Sequence, residues 1–91
     1  MITVEAAPTP QGWDCLVEIV DGEQRSRHSV TVSRPELERW GRDGEEGPEP
    51  LLRRTFDFLL AREPAQQILK SFALGDVQRY FPEFDQEMQK A

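Results

Sequence analysis

From Trp13 to Ser33 the chain alternates apolar and polar side chains on both sides of Asp21-Gly22, and few folds accommodate that pattern. Successive side chains of a strand point to opposite faces. In WDCLVEIV, Trp13, Cys15, Val17 and Ile19 therefore share one face, with Asp14 and Glu18 on the other. In HSVTVS, Val30 and Val32 face one way, Ser29 and Thr31 the other. Asp21-Gly22 is a turn signal. A two-residue turn pairs Cys15 with His28 and a four-residue turn pairs Val17 with His28; both bring the apolar faces together. An odd loop would set them against Ser29 and Thr31, which burial on one face forbids. Ile2-Thr3-Val4-Glu5 alternates as well, so residues 1–33 are expected to form three antiparallel strands.

The period then changes. Ser33-Arg34-Pro35-Glu36 is a capping box with a proline in the first turn, predicting a short helix over 34–41 that ends at Gly41. Residues 42–50, RDGEEGPEP, read as an acidic loop. In LLRRTFDFLLA, Leu51, Leu52, Thr55, Phe56, Leu59 and Leu60 cover about half of a helix circumference, with Phe58 at its margin. Pro64 breaks that helix. Ile68, Leu69 and Phe72 form the face of a second helix, and Leu74, Val77, Tyr80 and Phe81 that of a third, which Pro82 stops. Tyr80 and Phe81 are expected in the core. Phe84, in the tail 82–91, either closes over the core or is offered outward. The whole is one α+β domain, 1–91: a three-stranded antiparallel sheet packed against three or four short helices, the last of them in a helical block over 51–81.

Size and charge narrow the functions. A chain of 91 residues, 37% hydrophobic and 31% charged, has the composition of one globular domain. It has no apolar run of the ~18 residues a membrane span needs and no secretory signal pattern. The single Cys15 fits a reducing cytosol. The net charge is −6 although Leu51–Phe81 carries +2, so the acidity lies elsewhere in the chain. A general nucleic-acid binder is usually basic, so the balance disfavours that role.

The block TFDFLLAREPAQQILKSFALGDVQRYFPEF, Thr55 to Phe84, resembles the carboxyl half of a group of short bacterial hypothetical proteins. Their pattern runs approximately S-F-x-F-L-L-x-R-E-P-x-x-S-I-L-x-x-F-x-L-x-x-I-x-x-Y-F-P-E-F. Thr55, Gln67 and Val77 are mild departures from it. The resemblance implies a compact bacterial cytoplasmic protein and carries over no catalytic residue and no cofactor.

Reactive centres are hard to build from what remains. Cys15 and His28 are the one thiol and the one imidazole. The two-residue turn would set them opposite each other, but their neighbours are valines and a tryptophan, which suit a core cysteine rather than a thiolate. One Cys and one His do not complete a zinc site. Asp43, Glu45, Glu46 and Glu49 lack the ordered frame of a calcium loop and read as a solvated acidic stretch. Arg25, Arg27 and Arg34 flank the third strand and are candidate contacts to phosphate or to an acidic partner. Trp13, Trp40 and Phe84, large apolar groups near element ends, and Phe58, at the margin of the helical arc, are candidate partner-binding residues.

The sequence thus points to a small cytoplasmic, non-enzymatic protein-interaction module, self-associating or binding another protein through exposed apolar and aromatic surface. It needs no cofactor, metal, membrane or small-molecule substrate. The alternative is an antitoxin-type or transcriptional regulator touching nucleic acid through Arg25–Arg34.

Overall fold

A computed structural model of the chain describes residues 1–42 and 47–89. Its strands are β1 (Ile2–Pro8), β2 (Gly12–Asp21), β3 (Gln24–Ser33) and β4 (Ser71–Ala73). Its helices are α1 (Arg34–Trp40), α2 (Glu49–Leu60), α3 (Asp76–Tyr80) and α4 (Phe84–Gln89), with a 3-10 turn at Ala65–Gln67. The architecture is α+β, as expected, but the sheet has four strands in the order β1-β2-β3-β4 rather than three. The first three are antiparallel and β4 runs parallel to β3.

The hairpin takes the second of the two even registers. Val20 faces Arg25, Val17 faces His28 and Cys15 faces Val30. Gly22, at φ 63°, supplies the positive dihedral that such a tight turn needs. At the other end of β2 a side chain on Gly12 would run into the Val32 carbonyl, so the strands close only around a glycine. Cys15, Val17, Ile19, Val30 and Val32 are all buried on one face, joined by Ser26 and His28.

That face is covered by α2. Leu51, Leu52, Thr55, Phe56, Phe58 and Leu59 are buried, the broad arc the sequence predicts. The Thr55 hydroxyl, fully enclosed, donates to the Leu51 carbonyl at 2.8 Å. The capping box of α1 is also present: Ser33 N donates to Glu36 Oε1 at 2.8 Å and Glu36 N to Ser33 Oγ at 3.2 Å. The other Glu36 oxygen accepts from Gly75 N at 2.8 Å, pinning the entrance of α3 to α1.

Three expectations about the C-terminal half are corrected. Ile68, Leu69 and Phe72 do not share a helix face; the chain makes a 3-10 turn and then β4, with Phe72 beside Val30 and Leu69 turned out at 51% exposure. Only ten residues separate Pro64 from Gly75, and the open edge of β3 offers amides and carbonyls that a helix there would leave unpaired. Tyr80 is not in the core but 67% exposed, because α3 has five residues and only Val77 of it faces inward. The 82–91 tail is not a plain tail either, since residues 84–89 form α4, whose Phe84 is fully buried. Phe84 and Trp40 meet edge-on at 5.1 Å, and Phe84 and Phe58 at 5.3 Å.

Candidate functional site

The strand residues that could carry chemistry do not face each other directly, since Val30 stands opposite Cys15 and Val17 opposite His28. Cys15 is 2% exposed, and burial, with Asp14 next along the strand, pushes its thiol up to about 11. His28 stands opposite Val17 and is 1% exposed. Its Nδ1 donates to the Leu69 carbonyl at 2.8 Å and its Nε2 lies 3.0 Å from Ser26 Oγ. Its ring packs 5.4 Å from that of Phe56. Both nitrogens are therefore engaged, Nδ1 in tying β3 to the segment before β4 and Nε2 within β3 itself. The described residues hold no group of three or more His, Cys, Asp or Glu placed to bind a metal ion. Asp43, Glu45 and Glu46 lie outside the described residues, and Glu49 pairs with Arg53 at 3.0 Å on α2.

The structure does not gather the three arginines. Arg25 and Arg27 project from the solvent side of the sheet near the hairpin, where Arg27 pairs with Glu18 at 3.0 Å. Arg34 sits at the other end of β3 with its guanidinium 5.3 Å from the ring centre of Trp13. The aromatic candidates are dispersed too. Trp40, Phe58 and Phe84, at 3%, 7% and 0% exposure, are core residues and present no surface to a partner. Their burial follows from α4, which brings Phe84 between the other two rings. Trp13 is half-buried beneath Arg34.

A different surface stands out, an open groove of about 340 Å³ between the end of α2, the segment leading into β4, and α3. Leu59, Ile68, Phe72, Val77 and Phe81 supply its apolar walls, and Leu69 and Tyr80 its exposed rim. Its charged lining residues, Glu63 and Asp76, are both acids. Asp76 already accepts from Ala73 N at 3.1 Å and lies 3.8 Å from Arg79. Sequence reasoning missed this groove because it placed Leu69 and Tyr80 on buried helix faces. The signal was the crowding of breakers, Pro64, Gly75 and Pro82, which leaves each intervening piece too short to bury both of its sides.

Among the described residues no helix is long and apolar enough to cross a membrane. In comparisons with known proteins the chain matches no family model, no curated protein and no solved structure.

Proposed function

We propose that this protein is a non-enzymatic interaction module that seats an apolar segment of another protein, next to a basic residue of that segment, in the groove beside β4. The observation that carries the reading is the exposure of Leu69 and Tyr80, 51% and 67%, on the rim of an apolar trough whose charged lining residues are acids. Large apolar residues massed at one concave place are what a docking site requires, whereas isolated ones need no explanation. The acids favour a cationic neighbour in the ligand and disfavour phosphate. The positions by which Thr55–Phe84 resembles the short bacterial proteins include Glu63, Leu69 and Tyr80, none of which the core uses. A lone buried thiol suits action in a reducing cytosol.

Titration with short peptides tests this, read by amide shifts of the labelled protein. A peptide with two leucines beside a lysine should shift residues around Leu69, Phe72 and Tyr80. The same peptide with glutamate for lysine should bind at least several-fold more weakly, and Leu69→Ser with Tyr80→Ser should abolish the response. Shifts scattered over the whole surface, or equal binding of both peptides, would refute it. The nucleic-acid reading has less support, since Arg25 and Arg34 sit at opposite ends of β3 and Arg27 is paired.

A further inference from the structure

The first strand leaves one side of its backbone open, and its ladder with β2 identifies the groups concerned. Met1 N donates to the Val20 carbonyl at 2.7 Å and Val20 N to the Met1 carbonyl at 2.9 Å. At the far end Thr9 and Gly12 exchange bonds in the same way, at 2.8 and 3.3 Å. Bonded and non-bonded positions alternate along an antiparallel pair. Thr3, Glu5 and Ala7 therefore turn their amides toward β2, while Ile2, Val4 and Ala6 turn theirs away from the sheet. The Ile2 carbonyl agrees with that polarity, because it is met from outside by Arg53 Nη1 at 2.7 Å. The described residues supply no such partner to Val4 or Ala6, and residues 5 to 8 are all exposed. Edges of this kind are normally blunted by lysine, a bulge or proline. Here Pro8 does so at the far end and Arg53 covers the Ile2 carbonyl at the near end, which leaves the backbone of Val4 and Ala6 open.

We propose that β1 pairs antiparallel with β1 of a second copy of this chain, about a two-fold axis through Val4, so that one sheet runs across both copies. The choice of a second copy rests on how well this strand matches itself in one register. With Val4 on the axis, Val4 exchanges both bonds with its counterpart, and Ile2 does so with Ala6 on either side once the exposed Arg53 guanidinium yields the Ile2 carbonyl to the Ala6 amide. On the solvent face Thr3 then stands opposite Glu5 of the second copy, a neutral hydroxyl beside a carboxylate. Moving the axis to Glu5 sets two carboxylates at a close non-bonded position and asks Pro8 for an amide it lacks. Moving it to Ala6 pairs Val4 with Pro8, and moving it to Thr3 carries Ala6 past the end of the second copy's β1 at Ile2. Only the Val4 axis uses every free donor without opposing like charges.

One strand of seven residues makes a small contact, so the dimer is weak and forms at high protein concentration. Each copy carries −6, so pairing strengthens as salt screens the repulsion. The groove flanks β4 at the opposite edge of the sheet, which keeps this association separate from the docking reading above.

Sedimentation of the full chain across a concentration series in low and in 0.5 M salt should show a one-to-two chain equilibrium that shifts to dimer in salt. Val4→Pro and Ala6→Pro each remove an outward amide without touching the ladder to β2, and either should hold the protein monomeric with an unchanged circular dichroism spectrum. Register is read by disulfide trapping, since buried Cys15 does not compete. Thr3→Cys and Glu5→Cys, prepared separately, then mixed and oxidised with copper-phenanthroline, should give a crosslinked dimer holding one of each. Either variant crosslinking alone as fast as the mixture overturns the Val4 axis. A single-chain mass throughout the series overturns self-pairing altogether, which is the outcome if the edge receives a strand of another protein.

Discussion

Cys15 and His28 are the chain's one thiol and one imidazole, and both serve the core. With its thiol pushed up to about 11, Cys15 holds about one part in a thousand of thiolate at pH 8. Iodoacetamide labelling of the native protein at that pH, followed by mass spectrometry, should therefore run about a hundredfold or more slower than labelling in denaturant. Rapid native labelling would contradict the burial described. His28 is a strut between β3 and the Leu69 carbonyl. Replacing it by Leu keeps volume but orphans that carbonyl and Ser26, and should lower stability by about 2–3 kcal/mol in urea unfolding.

At the scale of elements, α3 and α4 have five and six residues and are too short to persist on their own. Tertiary contacts hold them. Phe84 fills the space between Trp40 and Phe58, and Phe58 also lies under the Arg62 guanidinium at 3.6 Å. Phe84→Ala should destabilise the fold by about 3–5 kcal/mol, the usual cost of emptying an aromatic site. Asp85 ties α4 to α1, accepting from Arg39 Nε and Trp40 Nε1, both at 2.8 Å. Those two hydrogen bonds, Arg39 first, hold its carboxyl below the ordinary aspartate range. A carboxyl lowered by folding stabilises the native state above its ordinary value, and that contribution is lost as pH falls through the lowered one. Trp40 fluorescence should accordingly change in acid with a midpoint below that of a free aspartate, and Asp85→Asn should remove the transition.

Over the whole molecule, sheet and helices share one core that runs from Ile19 and Val17 through Phe56 to Trp40 and Met88. Nothing in that arrangement can open without exposing the rest, so unfolding should be a single transition. The two tryptophans report from different places, Trp13 at the end of the sheet and Trp40 on the helical side. In urea, Trp13→Phe and Trp40→Phe proteins should show, by fluorescence of the remaining tryptophan, cooperative curves that each coincide with the loss of circular dichroism. Separated transitions would mean that α1 and α4 form a unit of their own.

Much of this was legible in the order of residues because it depends on neighbours. Strand faces follow from alternation at Trp13–Ile19 and His28–Val32, the α1 cap from Ser33 and Glu36 three apart, and the buried arc of α2 from leucines at helical spacing. The register was narrowed to two choices by parity alone. The rest depended on partners far along the chain. Ile68 and Phe72 sit at helical spacing, yet Ser71–Ala73 became a strand because β3, some forty residues earlier, had an open edge to fill. Phe84 became a core residue because Pro82, read as the end of the helices, separates α3 from a further short helix that Asp85 could anchor to Arg39 and Trp40. Leu69 and Tyr80 were left outside by those same two events, and the groove they border exists only once the sheet, α2 and α3 have met.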